Sequence, residues 1–374
     1  MTRHKVDGMD HPGLEGIVAA ETALSMVDGE RGELIIAGFP LEELAPNAEF
    51  EETVHLLWHG EIPDAGSLRS FRERLAERRA LPPVVIEVLR DAARRTADGM
   101  DALRMAAGLL EPDRIFAALP TIVAAWWRLQ QGQEPLVPRA DLGHAASFLF
   151  LLTGEEPPAE RVRALQTYLN TVIDHGLNAS TFTARVITST GSDLVSAIVG
   201  AIGALKGPLH GGAPGPALRM VFEIGDASRA EQVLRRKIAS GERLMGFGHR
   251  VYKVRDPRAD VLAAAAARLY RRGGDLRLYD LARAVESTAI RLLEEAKPGR
   301  RLQTNVEFYT ALLLHGIGLD PALFTPTFAI SRAAGWIAHC LEQQRAGRLI
   351  RPQSVYVGPT GRRWGMQHRQ PSVV

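Results

Sequence analysis

In the stretch NAEFEETVHLLWHGEIP, Phe50, Val54, Leu57 and Trp58 recur at i, i+4, i+7 and i+8, one face of an α-helix. Acidic residues fill its first turn, and Gly60 and Pro63 end it. The same grammar recurs in SLRSFRERLAERRA, PVVIEVLRDAARR, FAALPTIVAAWWRLQQG, ADLGHAASFLFLLTG, AERVRALQTYLNTVI and DLVSAIVGAIGALKG. It returns in RAEQVLRRKIASGE, ADVLAAAAARLYRRGG, YDLARAVESTAIRLLEEA and the run 322–347. The pattern predicts an all-α protein of well over a dozen helices. One early segment differs. SMVDGERGELIIAG places a DG turn before the alternating GELIIAG and predicts a small hairpin. No fixed-period repeat, low-complexity tract or clean linker divides the chain.

Three stretches break the helical pattern. In KGPLHGGAPGPAL, residues 206–218, His210 sits among glycines and prolines. In RLMGFGHRVYKVRDPRAD, residues 243–260, His249 follows Gly246, Phe247 and Gly248 and precedes a basic run and Asp256-Pro257. In QTNVEFYT, residues 303–310, Glu307 stands between Val306 and Phe308 at the mouth of an apolar run. Glycines let a backbone approach a ligand closely. Histidine exchanges protons near neutral pH. Glutamate is seldom fully buried without a partner. Other motifs are weaker. GFGHRV does not complete a dinucleotide-binding glycine fingerprint. His55 and His59 have the i, i+4 spacing of zinc ligands but lack an HExxH motif or a third ligand, so no metal is expected.

Composition narrows the classes. Among 374 residues, 46% are hydrophobic and 24% charged, with a net charge of +2, so no nucleic-acid or membrane surface is indicated. The single cysteine, Cys340, excludes an intrachain disulfide and reads as a small core residue. Five lysines stand against forty arginines, a bias that suits bidentate contacts to small anions and also follows from GC-rich coding. No apolar stretch reaches the ~20 residues of a membrane span. The first residues lack the apolar core of a secretory signal, so a cytoplasmic location is expected.

These stretches resemble the citrate synthase family. KGPLHGGA is similar to its first catalytic histidine loop, MGFGHRVYKVRDPRA to its second, and NVEFYTALLL to the segment carrying its catalytic acid. DHGLNASTFTAR, FAISRAAGWIAHCLEQQ and LIRPQSVYVGP resemble further family segments, in the family's order. The resemblance implies an all-α citrate synthase fold: a large helical domain (1–212 and 319–374), a smaller mobile one (213–318), and a homodimer. It implies condensation of acetyl-CoA with oxaloacetate, with coenzyme A thioester as co-substrate and no permanently bound cofactor. Longer acyl groups, as in 2-methylcitrate synthase, and a non-catalytic oxaloacetate- or CoA-binding paralogue are the alternatives. By resemblance Glu307 is the base, His210 donates to the enol oxygen and His249 polarises the ketone. Arg258, Arg332 and Arg351, the last from a partner subunit, hold the carboxylates, with His175 alongside. Gly246, Phe247 and Gly248 would face the coenzyme and Lys253 a phosphate. The chain's short start predicts the dimeric type rather than the NADH-regulated hexamer. One departure stands out: the family's usual acid is Asp, and this chain has Glu307. Either the backbone is set back to fit the longer acid, or the site is an eroded one.

Overall fold

The computed structural model describes residues 12–361, apart from 212, 213, 250 and 274. The hairpin forms as β1 (Ser25–Asp28) and β2 (Glu33–Ile36), antiparallel, with Val27 opposite Leu34. Asp28 shapes the turn, its Oδ1 accepting the N–H of Glu30 and Arg31 at 3.0 and 2.9 Å. A third strand, β3 (Phe39–Pro40), pairs with β2. At two residues it is too short to leave an alternating pattern.

The rest is helical, with sixteen α-helices among the described residues. The first are α1 (Leu41–Leu44), α2 (Phe50–His59), α3 (Ala65–Glu77), α4 (Pro83–Arg94) and α5 (Gly99–Ala107). On α2, Phe50, Val54 and Leu57 are buried as their spacing predicts, and the indole N–H of Trp58 donates to Ala334 O at 3.0 Å. Then come α6 (Ile115–Gln130), α7 (His144–Thr153), α8 (Ala159–Val172), α9 (Ala179–Ser189) and α10 (Leu194–Leu205). A second group is α11 (Pro214–Ile224), α12 (Ala230–Ala239), α13 (Pro257–Arg272), α14 (Arg277–Ala296) and α15 (Val306–Ile317). The last helix, α16 (Phe324–Ala346), returns to the first group and packs against α2, α6, α8, α9 and α10. It buries Ala333, Trp336 and Cys340. Gly335 is required there: a Cβ would lie 2.3 Å from Ile173 O, so only glycine lets α16 approach the end of α8.

Within the second group α12 packs on α14, and α11 and α13 on α15. α8 meets α13 and α15, joining the two groups. The boundary expected between 212 and 213 falls on two residues outside the described ones. The stretch 206–218 is not loop throughout. From Pro214 it is the first turn of α11, where proline costs nothing because a first-turn N–H has no helical partner. No helix among the described residues is long and apolar enough to cross a membrane. The His55 and His59 rings lie 4.3 Å apart, and no cluster of three metal-ligating side chains occurs among the described residues.

Candidate active site

The site is built where the glycine loop 246–248 runs antiparallel to the approach to α15. Gly248 N–H donates to Gln303 O (2.7 Å), and Asn305 N–H donates to Gly246 O (3.0 Å). Asn305 then caps α15, its Oδ1 accepting the Glu307 N–H at 3.0 Å, while its Nδ2 donates to Gly248 O at 2.8 Å. Gly246 has φ +91°, and a Cβ there would press on Phe308 at 3.0 Å. The Phe247 ring is buried against Phe308, centroids 5.4 Å apart, so its side chain serves packing. This pairing fixes the histidine loop against the first turn of the acid-bearing helix.

Asp256 caps α13 and ties the two together. Its Oδ1 accepts from Arg258 N–H (3.1 Å) and Nε (3.0 Å); its Oδ2 accepts from Arg258 Nη2 (2.8 Å) and Val306 N–H (3.1 Å). The Arg258 guanidinium is thus gripped bidentately beside Glu307's helix. Arg258 Nη2 stands 3.2 Å from His249 Nε2. His249 Nδ1 accepts from Val251 N–H and Tyr252 N–H, both at 3.1 Å. An imidazole that accepts at Nδ1 carries its proton on Nε2 when neutral. Burial, and then the Arg258 charge, push the His249 pKa down to about 4.

The opposite wall comes from the first helical group. His175, just after α8, places Nε2 3.1 Å from Tyr252 Oη, and its ring meets that of His249 edge to face at 5.9 Å. Burial, with Arg258, Arg332 and His249, holds His175 well below the usual range. Its loop is pinned at Asp174, whose Oδ2 accepts from Ser25 Oγ (2.5 Å) and Gly176 N–H (3.2 Å). His210 Nε2 lies 2.8 Å from Ser180 Oγ and receives the Ser180 N–H at 3.4 Å. The Ser180 hydroxyl is directed to Asn178 Oδ1 at 2.8 Å, so it is the backbone N–H, which can only donate, that leaves a neutral ring's proton on Nδ1. Burial and then Arg332 bring His210 to about 4. Arg332, on α16, is buried with Nε donating to Val172 O at 2.7 Å. Among the described residues its terminal nitrogens have no hydrogen-bond partner, and burial lowers its pKa to about 10 despite Asp174.

Glu307 itself makes no side-chain hydrogen bond among the described residues. Burial raises its pKa to about 7, with Arg258 pulling the other way.

His175, His210, His249, Arg258, Arg332 and Glu307 therefore converge on one cleft. Arg351 does not join them: it lies exposed in the segment after α16. Lys253 is exposed beside the hairpin turn, its N–H donating to Gly29 O at 2.9 Å. Ser180, Tyr252 and Asp256 also shape the cleft. All three lie inside stretches that the sequence marks, but their partners are distant in the chain, so spacing does not single them out. Two cavities of about 480 and 650 Å³ open around Arg161 and His315, at the far end of α15, and contain none of these groups. The convergence of perturbed histidines and an acid marks the site better than cavity size does.

The chain matches the family model "Citrate synthase, C-terminal domain" over residues 13–353. It is 42% identical to citrate synthase 2 of Bacillus subtilis, over 93% of this chain and 95% of the relative. It is 38% identical to a 2-methylcitrate synthase of Mycobacterium tuberculosis, over 92% and 90%. Among solved structures, citrate synthase from Pyrobaculum aerophilum aligns with TM-score 0.88 and 36% identity, over 96% of this chain and 95% of that one. The Thermoplasma acidophilum enzyme, solved as a ternary complex with carboxymethyl coenzyme A and oxaloacetate, aligns with TM-score 0.87 and 30% identity, over 96% and 99%.

Proposed function

The chain belongs to the citrate synthase family of acyltransferases, and on that premise we propose that it condenses acetyl-CoA with oxaloacetate, using Glu307 as the base. The carrying observation is a carboxylate raised to about 7 in one cleft with two histidines held neutral. A methyl beside a thioester is a very weak acid, so its proton must be drawn off while the thioester oxygen is stabilised. A base titrating near 7 is stronger than an ordinary carboxylate and is still largely ionised just above neutrality. His210 Nδ1–H donates to the enol oxygen. Being neutral, it stabilises that oxygen without surrendering its proton.

The carbon nucleophile then adds to the oxaloacetate ketone. His249 Nε2–H and Arg258 Nη2 are two donors facing each other at 3.2 Å. An acceptor oxygen lodged beside both relieves that opposition, which supports ketone polarisation there. Arg258 and the free end of Arg332 suit the two carboxylates, with His175 alongside and Arg351 supplied by the partner subunit of a homodimer. The backbone of 246–248 and Lys253 serve the coenzyme. Hydrolysis of the resulting thioester releases citrate and CoA. The mobile unit is 213–318, carrying His249, Arg258 and Glu307, against the walls formed by 1–212 and 319–374. The setting is cytoplasmic.

The 38% identity to 2-methylcitrate synthase favours propionyl-CoA as the second reading. One methylene alters selectivity only ~10–200-fold. Thiol release measured with acetyl-CoA and propionyl-CoA, each with and without oxaloacetate, tests both. Oxaloacetate-dependent release is expected, faster with acetyl-CoA. Faster release with propionyl-CoA selects the second reading, and no release with either rejects catalysis.

A further inference from the structure

Glu286, on α14, takes no part in the cleft, yet it is one of the few buried carboxylates among the described residues, 4% exposed. Its two oxygens receive four donors. Oε1 accepts from Arg255 Nη1 (2.6 Å) and Thr304 Oγ1 (2.7 Å). Oε2 accepts from Tyr309 Oη (2.5 Å) and Arg283 Nη1 (2.9 Å). Three of these donors lie on segments that carry the chemistry. Arg255 is in the loop between His249 and Arg258 and also pairs with Asp260 at 2.5 Å. Thr304 precedes the cap residue Asn305. Tyr309 is two residues beyond Glu307 and is itself wholly buried.

We propose that Glu286 is a positioning residue, clamping the His249–Arg258 loop and the first turn of α15 into one unit so that Glu307 is held at a fixed distance from bound substrate. This rests on the reading of Glu307 as the base. Asp256 joins the same two segments at the cleft through Val306 N–H and Arg258. The pairing of 246–248 with 303–305 joins them on the cleft side as well. Glu286 joins them from behind, so the two segments cannot pivot about the cleft-side contacts. The hydrogen bonds from Tyr309, Thr304 and Arg255 outweigh burial and keep Glu286 below the usual carboxylate range, so it stays ionised wherever Glu307 works as a base.

The consequence is a rate effect separate from stability. Proton abstraction is sensitive to ~1 Å, which can cost ~100-fold. Glu286→Gln keeps the shape but turns one acceptor into a donor facing donors, and so loosens both segments. Tyr309→Phe removes only the α15 strut and stays within the folded core. Both variants are compared with unaltered enzyme and Glu307→Gln, by kcat, KM for acetyl-CoA, thermal midpoint, and the isotope effect on kcat with methyl-deuterated acetyl-CoA. Expected for Glu286→Gln is a ~10–100-fold fall in kcat with KM for acetyl-CoA changed less than ~3-fold. The isotope effect should be at least as large as in unaltered enzyme, because the slowed step is the proton transfer. Tyr309→Phe should move the same way by less, and it decides the matter alone if Glu286→Gln does not fold. A lowered thermal midpoint with kcat within ~2-fold overturns the proposal, as does a kcat loss with a diminished isotope effect. A fully active Glu307→Gln instead overturns the base assignment on which it rests.

Discussion

At Glu307 the raised pKa is also a statement about stability. The folded value of about 7 lies above the ordinary 4.5, so between those values the folded protein holds a proton that the unfolded chain has lost. Burying this carboxylate is therefore tolerated at acid pH and costs stability as pH rises through 7. Glu307→Gln removes that cost, so its thermal midpoint should exceed that of the unaltered protein at pH 8. The gap should shrink as pH falls through 4.5 and vanish below it, where the carboxyl is neutral in both states. Equal midpoints at both pH values would mean that the carboxylate is solvated in the folded state. At Arg258 the relevant variant is Arg258→Lys. Loss of the residue would leave Asp256 buried without its partner, a disruption of ~3–5 kcal/mol. Lysine keeps the charge and loses the fork, so the fold should persist while KM for oxaloacetate rises ~10-fold or more. An unchanged KM would remove Arg258 from the carboxylate site. His210, His249 and Glu307 are legible because they sit in stretches that break the helical pattern, whereas His175, Arg258 and Arg332 are marked by the family resemblance alone. Glu286 is marked by neither, since in YDLARAVESTAIRLLEEA it looks like any acid on a solvated helix face. Only its four donors, drawn from separated segments, distinguish it.

Among elements, the amphipathic helices follow their spacing closely, as α2, α4 and α14 show. Those less evident in sequence have physical reasons. α9 (ASTFTARVITS) is rich in β-branched residues and buries polar side chains such as Ser180 and Arg185 in place of an apolar stripe. α11 opens with Pro-Gly-Pro, which reads as loop until its position in the first turn is known. The hairpin was readable, but its role was not. Ser25 Oγ holds the His175 loop through Asp174 and Gly176, while Gly29 and Gly32 at its turn lie against the His249 loop. A Cβ on Gly29 would be 2.3 Å from Val251 O, a backbone atom that cannot swing aside. Gly29→Val should therefore push the 249–254 loop away, lowering stability by ~1–3 kcal/mol and raising KM for oxaloacetate. Denaturant unfolding and steady-state kinetics check both. Normal values for each would show the hairpin to be detached from the loop in solution.

For the whole molecule, the two walls of the cleft carry like charges. Arg258 comes from the second helical group and Arg332 from α16, and each disfavours the other's charge. A dianion between them reverses that repulsion, so bound oxaloacetate should draw the groups together and shut water out of the enolate's surroundings. Small-angle scattering should record a smaller radius of gyration at saturating oxaloacetate. An unchanged radius would mean that the unliganded protein is already closed.

The proposed reaction turns on Glu307 acting as the base in a site built for glutamate. The most direct test is oxaloacetate-dependent thiol release from acetyl-CoA, followed as kcat for the unaltered enzyme, Glu307→Gln and Glu307→Asp. Turnover should be abolished in Glu307→Gln. Glu307→Asp withdraws the carboxylate by about one methylene and should lose ~10–100-fold in kcat with KM little changed. A rise in kcat in Glu307→Asp would show an eroded aspartate site, and undiminished turnover in Glu307→Gln would contradict the account outright.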